Sequence, residues 1–161
     1  MQRSSSAAVF AALLFALASG ASAYEVRDGG IIVQDPWTNA TLRANVGNAV
    51  YLIVRNAGTT TLKLTGARSP AAAAATLHES IAGADGVVRM LRVLSAEIPP
   101  GDAIALAPEG MHIMLTGLTA PLRENQTVPL TLMFEGAGPV TVDAIVEPVR
   151  ATGPRARPNP N

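Results

Sequence analysis

From Gly30 onward this sequence is a series of short runs rich in valine, isoleucine, leucine and threonine, each ended by glycine, proline, asparagine or aspartate. Runs of this length suit strands, whose side chains alternate between two faces. They fall at residues 30–34 (GIIVQ), 48–55 (NAVYLIVR), 62–67, 76–81, 87–94, 103–107, 111–116, 128–134 and 140–146. Asp35-Pro36 stops the first, and Asn56-Ala57-Gly58, Pro99-Pro100-Gly101, Pro108-Glu109-Gly110 and Glu135-Gly136-Ala137-Gly138 bound later ones. That succession predicts an all-β sandwich or small barrel. One segment points elsewhere. Ser69-Pro70 before the alanines at 71–75 combines an N-cap, a proline at the first helical position and good helix formers. It predicts a helical turn or two before strand character returns at Thr76.

The two ends of the chain are different in kind. Arg3, the apolar run 7–18 (AAVFAALLFALA) and Ala21-Ser22-Ala23 supply the charged start, apolar stretch and small-x-small cleavage pattern of an export signal. The run is shorter than the roughly 20 residues that span a bilayer. Residues 1–23 are therefore expected to be a signal peptide, 24–150 one β domain, and 151–161 (ATGPRARPNPN) a disordered tail without apolar periodicity. Export implies a periplasmic protein with no stable membrane insertion after cleavage. The 12 basic and 12 acidic residues cancel, which argues against nucleic acid or an anionic membrane as partner, since both require clustered Lys and Arg.

Cysteine is absent. An exported chain without it has no disulfide framework, no zinc-thiolate site, no cysteine nucleophile and no blue-copper centre. A soft-metal ligand here must be methionine. The only two histidines each lie near one: His78 precedes Met90, and His112-Ile113-Met114 spans three positions. Two residues apart in a strand, His112 and Met114 share a face, whereas Met111 and Ile113 point the other way, toward core packing. His78 and Met90 belong to a hairpin around Gly83-Ala84-Asp85-Gly86. They share a face if its loop has three or five residues, or a bulge, and oppose each other across a two-residue loop. Imidazole nitrogen and thioether sulfur suit copper(I) and would serve Mg2+ or Ca2+ poorly. On spacing alone, one shared metal site and separate packing roles stay equally open. Met133 is expected in the core, Asp85 in a turn, and Trp37 either anchors the first strand or packs beside the site.

At these residues the sequence resembles a known family, the periplasmic copper chaperones of the PCuAC type. The family pattern is a histidine, 11 intervening residues, a methionine, 21 residues and then His-x-Met, and His78, Met90 and His112-Ile113-Met114 reproduce it without a gap. The flanks match as well, among them residues 49–58 (AVYLIVRNAG), 98–101 (IPPG), 110–118 (GMHIMLTGL) and 128–132 (VPLTL). The likeness extends from about Ile31 to Val146. It implies a cupredoxin-like Greek-key β-barrel that binds copper(I) through His78, Met90, His112 and Met114. It also implies delivery of copper toward the CuA centre of cytochrome c oxidase, in cooperation with an SCO-type thiol protein. Glu79 stands where many members have a further methionine, and Asn39 where many have an arginine. The tail lacks the histidines and methionines that some members carry there.

Three functions compete. A copper(I) carrier, serving oxidase assembly or general periplasmic copper homeostasis, needs the four side chains together. An exported β-sandwich interaction module without a metal needs them dispersed or buried. An enzyme is disfavoured, because no Ser-His-Asp arrangement or carboxylate pair stands out and no catalytic residue is expected.

Overall fold

Strand alternation sets the core. In the computed structural model, which describes residues 24–157, Val128, Leu130, Leu132 and Phe134 of one strand are buried while Thr131 and Met133 are only partly so. The expected signal segment lies outside the described residues. Among these, eleven strands form one sheet: β1 (Glu25–Asp28), β2 (Ile31–Asn39), β3 (Asn48–Asn56), β4 (Leu62–Arg68), β5 (Ala72–Ala82), β6 (Val88–Arg92), β7 (Ala96–Ile98), β8 (Ala103–Leu106), β9 (Met111–Leu118), β10 (Thr127–Glu135) and β11 (Val140–Glu147). The path β2-β11-β10-β4-β5-β9-β3 returns to β2 through a β2–β3 pairing, so the sheet closes into a barrel. Closure removes most of the open edge that a sheet otherwise presents. The β2–β11 pair is parallel and the other pairs are antiparallel. Leu52, Leu64, Leu77, Ile113, Leu115, Leu130 and Leu132 fill the interior, and Met111 packs against it as its face requires. The all-β, cupredoxin-like barrel is the fold expected.

Four local expectations need correction. Asp35-Pro36 does not end the first strand, because β2 continues through it. Asp35 adopts φ 47°, and its backbone N–H donates to the Tyr24 carbonyl at 2.8 Å while its carboxylate accepts the Tyr24 N–H at 3.0 Å. The register against β3 shifts there, from Gln34↔Ile53 to Trp37↔Tyr51. One extra residue reverses the faces beyond it. Val33 therefore points into the core, and Trp37, which would follow it there, turns to the outer face beside Tyr51.

The alanine run forms no helix. Ser69 Oγ accepts the Ala71 N–H at 3.2 Å, as an N-cap would, but from Ala72 the chain extends as β5. The reason is close packing: a Cβ placed on Gly117 of β9 would stand 2.9 Å from the Ala73 Cβ. Small residues let these strands approach, and the β5–β9 pairing overrides helix propensity. Met133 is not core, since Leu132 and Phe134 take the inward positions on either side; its Sδ instead accepts a 3.3 Å hydrogen bond from Arg68. The short strands β1 and β7 had no apolar run to announce them.

The segment after Glu147 has no helix or strand over residues 151–157, yet it is fastened to the barrel. The Arg155 Nε donates at 2.6 Å to the carboxylate of Glu147, which is fully buried. The Arg157 guanidinium lies 4.0 Å over the Tyr24 ring. A buried carboxylate requires a partner, and here the partner comes from the tail.

Candidate metal centre

Three adjacent strands, β6, β5 and β9, carry the four candidate side chains. The last β5–β6 pair is Ala82↔Val88, leaving residues 83–87 as a five-residue loop. The Asp85 carboxylate accepts from the Val87 N–H at 3.1 Å and from the Arg89 guanidinium at 2.6 Å, which holds the loop shut. An odd loop puts His78 and Met90 on one face: Met90 opposes Ser80, and Arg92 opposes His78. On the other side of β5, His78 directly opposes His112, and Thr76 opposes Met114. His78, Met90, His112 and Met114 therefore share the outer face, with the histidines side by side and a methionine to each flank. Glu79 opposes Met111 and Leu91, on the reverse face.

Burial differs among them in a useful way. His112 is 2% exposed and Met90 is 57% exposed, with His78 and Met114 between. Met114 lies against the loop before β3, where a Cβ on Gly47 would meet its Sδ at 3.3 Å. The face thus runs from a buried imidazole nitrogen at His112 to an exposed thioether at Met90.

The hydrogen bonds of the two rings decide which atoms are available. His112 Nδ1 lies 3.0 Å from the Gly110 carbonyl oxygen. A carbonyl only accepts, so Nδ1 carries a proton, and in the neutral ring Nε2 is the nitrogen with the bare lone pair. His78 Nε2 lies 3.0 Å from Thr76 Oγ1. We assign the proton to this nitrogen, because the other tautomer would bury an unpaired N–H at Nδ1. His78 Nδ1 and His112 Nε2 are both buried and have no hydrogen-bond partner. Leaving a buried polar atom unpaired costs about 1–3 kcal/mol, and here two such atoms occur on facing residues whose ring centroids are 6.1 Å apart. Outer hydrogen bonds that fix the tautomer are typical support for metal-binding histidines.

The electrostatics favour a neutral His78 ring. Burial, then the neighbouring His112 ring and Arg92, push the His78 pKa below its ordinary value. No cluster of three or more His, Cys, Asp or Glu residues occurs among the described residues, so a metal held here would depend on the thioethers. Imidazole nitrogen and thioether sulfur are ligand types suited to a soft, low-charge cation.

The outer face continues as a row of rings. Tyr51 of β3 lies 6.4 Å from His112, and Trp37 of β2 lies 4.7 Å from Tyr51, centroid to centroid. Trp37 therefore both anchors β2 and flanks the site. Sequence reasoning missed Thr76, Tyr51 and Arg92. Thr76 was within reach, since it precedes His78 by two positions and must share its face. Tyr51 was not, because nothing local says that β3 lies beside β9.

Comparison with known proteins agrees with the family and the fold. Residues 31–146 match the family model "Putative lipoprotein LpqE-like". The chain belongs to this LpqE-like family, of the PCuAC type. A relative from Leifsonia xyli subsp. xyli, named "Putative lipoprotein Lxx21020", is 38% identical over 117 residues, covering 70% of this chain and 68% of the relative. Among solved structures, the apo PCuAC domain from PmoF1 superposes with a TM-score of 0.67 at 26% identity, covering 78% of this chain and 99% of that domain. The copper-bound PCuAC domain from PmoF2 gives 0.65 at 29% identity, covering 78% and 98%. Apo-DR1885 from Deinococcus radiodurans gives 0.57 at 26% identity, covering 92% and 97%. The shared part is the PCuAC barrel, the body on which this LpqE-like chain carries its histidine and methionine face.

Proposed function

We propose that this protein is an exported copper(I) carrier whose cargo is held by His78 Nδ1, His112 Nε2, Met90 and Met114. The observation that carries the reading is the pair of buried, partnerless imidazole nitrogens on the same face as two thioethers. Thioethers need no deprotonation, so the site would load without releasing protons from its sulfurs. Without a cysteine thiolate, the reduced ion is the form this set favours. The copper-bound PmoF2 domain supports copper as the metal.

The proposed mechanism is ligand exchange. Met90, which is exposed, would be displaced first as an incoming thiolate or thioether enters the coordination sphere. His112, which is buried, would release last. The proposed destination is the CuA centre of cytochrome c oxidase, reached with an SCO-type thiol protein, and this part rests on the family pattern alone. Export to the periplasm rests on the charged, apolar start of the chain and on relatives named as lipoproteins. These 161 residues contain no cysteine to carry a thioether-linked lipid.

The test is copper(I) titration against a competing chelator under reducing conditions, for the protein and for Met114→Ala and His112→Ala. Both variants should lose at least tenfold in affinity. Unchanged binding in both, with folding verified by circular dichroism, would overturn the site.

A further inference from the structure

Beside the metal face runs a groove of about 360 Å³ between β4 and β5, closed on its third side by the end of β6. Arg68 and Arg92 are among the residues that line it, with Thr65 and Thr76, and no Asp or Glu lines it. Among the described residues neither arginine has an ion pair. The hydrogen bond from Arg68 goes to a thioether, Met133 Sδ, a weak acceptor for so strong a donor. The chain as a whole is neutral, so this is a local excess of positive charge. Leu94, 79% exposed, adds an apolar shoulder.

The groove and the metal face share residues. Arg92 opposes His78 across the β5–β6 ladder, and the Thr76 hydroxyl bonds to His78 Nε2. Whatever fills the groove therefore ends next to His78, where a copper-exchanging ligand would arrive. Arginine pairs with carboxylates in a planar, two-bond geometry that fixes orientation as well as charge.

We infer that this groove docks an acidic segment of the protein that exchanges copper with this one, its carboxylates pairing with Arg68 and Arg92. The inference rests on the copper reading only for the partner's purpose, not for the carboxylate chemistry. A carboxylate in the groove can accept the Thr76 O–H, and Thr76 Oγ1 then remains free to accept the His78 Nε2–H. Docking would thus leave the His78 tautomer in place while copper moves. Charge complementarity of this kind acts mainly on encounter and selectivity.

Two synthetic peptides test the inference. They share a Met-x-x-Met copper(I)-binding core and differ in their flanks, glutamates in one and glutamines in the other. In amide chemical-shift titrations of the metal-free protein at low salt, the glutamate peptide should bind at least tenfold more tightly and move the signals of Arg68, Thr76 and Arg92. In an Arg68→Gln/Arg92→Gln double variant that advantage should vanish. Equal binding of the two peptides, shifts elsewhere on the barrel, or an advantage that survives the double substitution would overturn it. For copper-loaded protein, transfer to the glutamate peptide should be about tenfold faster, and the preference should disappear in the double variant. If the protein fails to load copper(I), the copper reading fails, and the metal-free titration alone still decides the groove.

Discussion

Replacing Thr76 with valine removes one hydroxyl and keeps the β-branched shape that suits a strand. The lost contact is the 3.0 Å hydrogen bond between Thr76 Oγ1 and His78 Nε2. A neutral hydrogen bond of this kind contributes about 0.5–1.5 kcal/mol net. That is about a two- to tenfold bias toward the ring orientation shared with His112, since 1.4 kcal/mol corresponds to a factor of about ten, and without the hydroxyl the ring is free to leave it. Loss of an outer-shell partner typically weakens metal binding by about 10–100-fold, so copper(I) affinity should fall by at least tenfold. Chelator competition measures this, and nitrogen-15 shifts of the His78 ring in the metal-free protein report the tautomer directly. Thr76→Ser restores the hydroxyl and should recover most of the affinity. The reasoning is refuted if Thr76→Val binds copper(I) within twofold of the parent while His78 keeps its proton on Nε2. Loss of affinity in Thr76→Val that Thr76→Ser fails to recover would also count against it.

Because His78 is held below its usual pKa of 6.5, the unfolded chain takes up its proton first on acidification. The His78 contribution to metal-free stability is then fully present above pH 6.5 and declines as pH falls through that value toward the folded pKa. The His78 ring of the metal-free protein should likewise take up its proton only below pH 6.5, read from its nitrogen-15 shifts; a midpoint above 6.5 would contradict the shift. Trp37 is the single tryptophan and is linked to His112 through the Tyr51 ring. Its fluorescence should change saturably with one equivalent of copper(I), and a signal indifferent to copper that binds tightly would place the metal elsewhere. Arg155→Ala leaves the fully buried Glu147 carboxylate without its guanidinium. It should destabilise the fold by about 1–3 kcal/mol, read as a lower denaturant midpoint; an unchanged midpoint would show that the tail does not hold the barrel.

Much of the candidate site was present in the local pattern. Side-chain alternation is a property of each strand alone, so His112 and Met114 had to share a face and Met111 and Ile113 the other. Hairpin parity had to bring Met90 to the side of His78 once the loop proved to hold residues 83–87. The turn residues marked most strands for the same reason, since backbone sterics act over a few positions.

Which strands become neighbours is a different matter, because barrel closure and core filling decide it over the whole chain. Only closure sets β5 against β9, so that His78 faces His112, and β9 against β3, so that Tyr51 joins the row. Packing against Gly117 turned the alanines of residues 71–75 from helix formers into strand. The bulge at Asp35 reversed the face of Trp37, which simple alternation from Val33 would have buried in the core. Buried Glu147 drew Arg155 and the tail onto the barrel, a demand visible only once burial is known. The residue types and their order determined what metal chemistry this face could offer; the closed sheet decided that two imidazole nitrogens would be left there without partners.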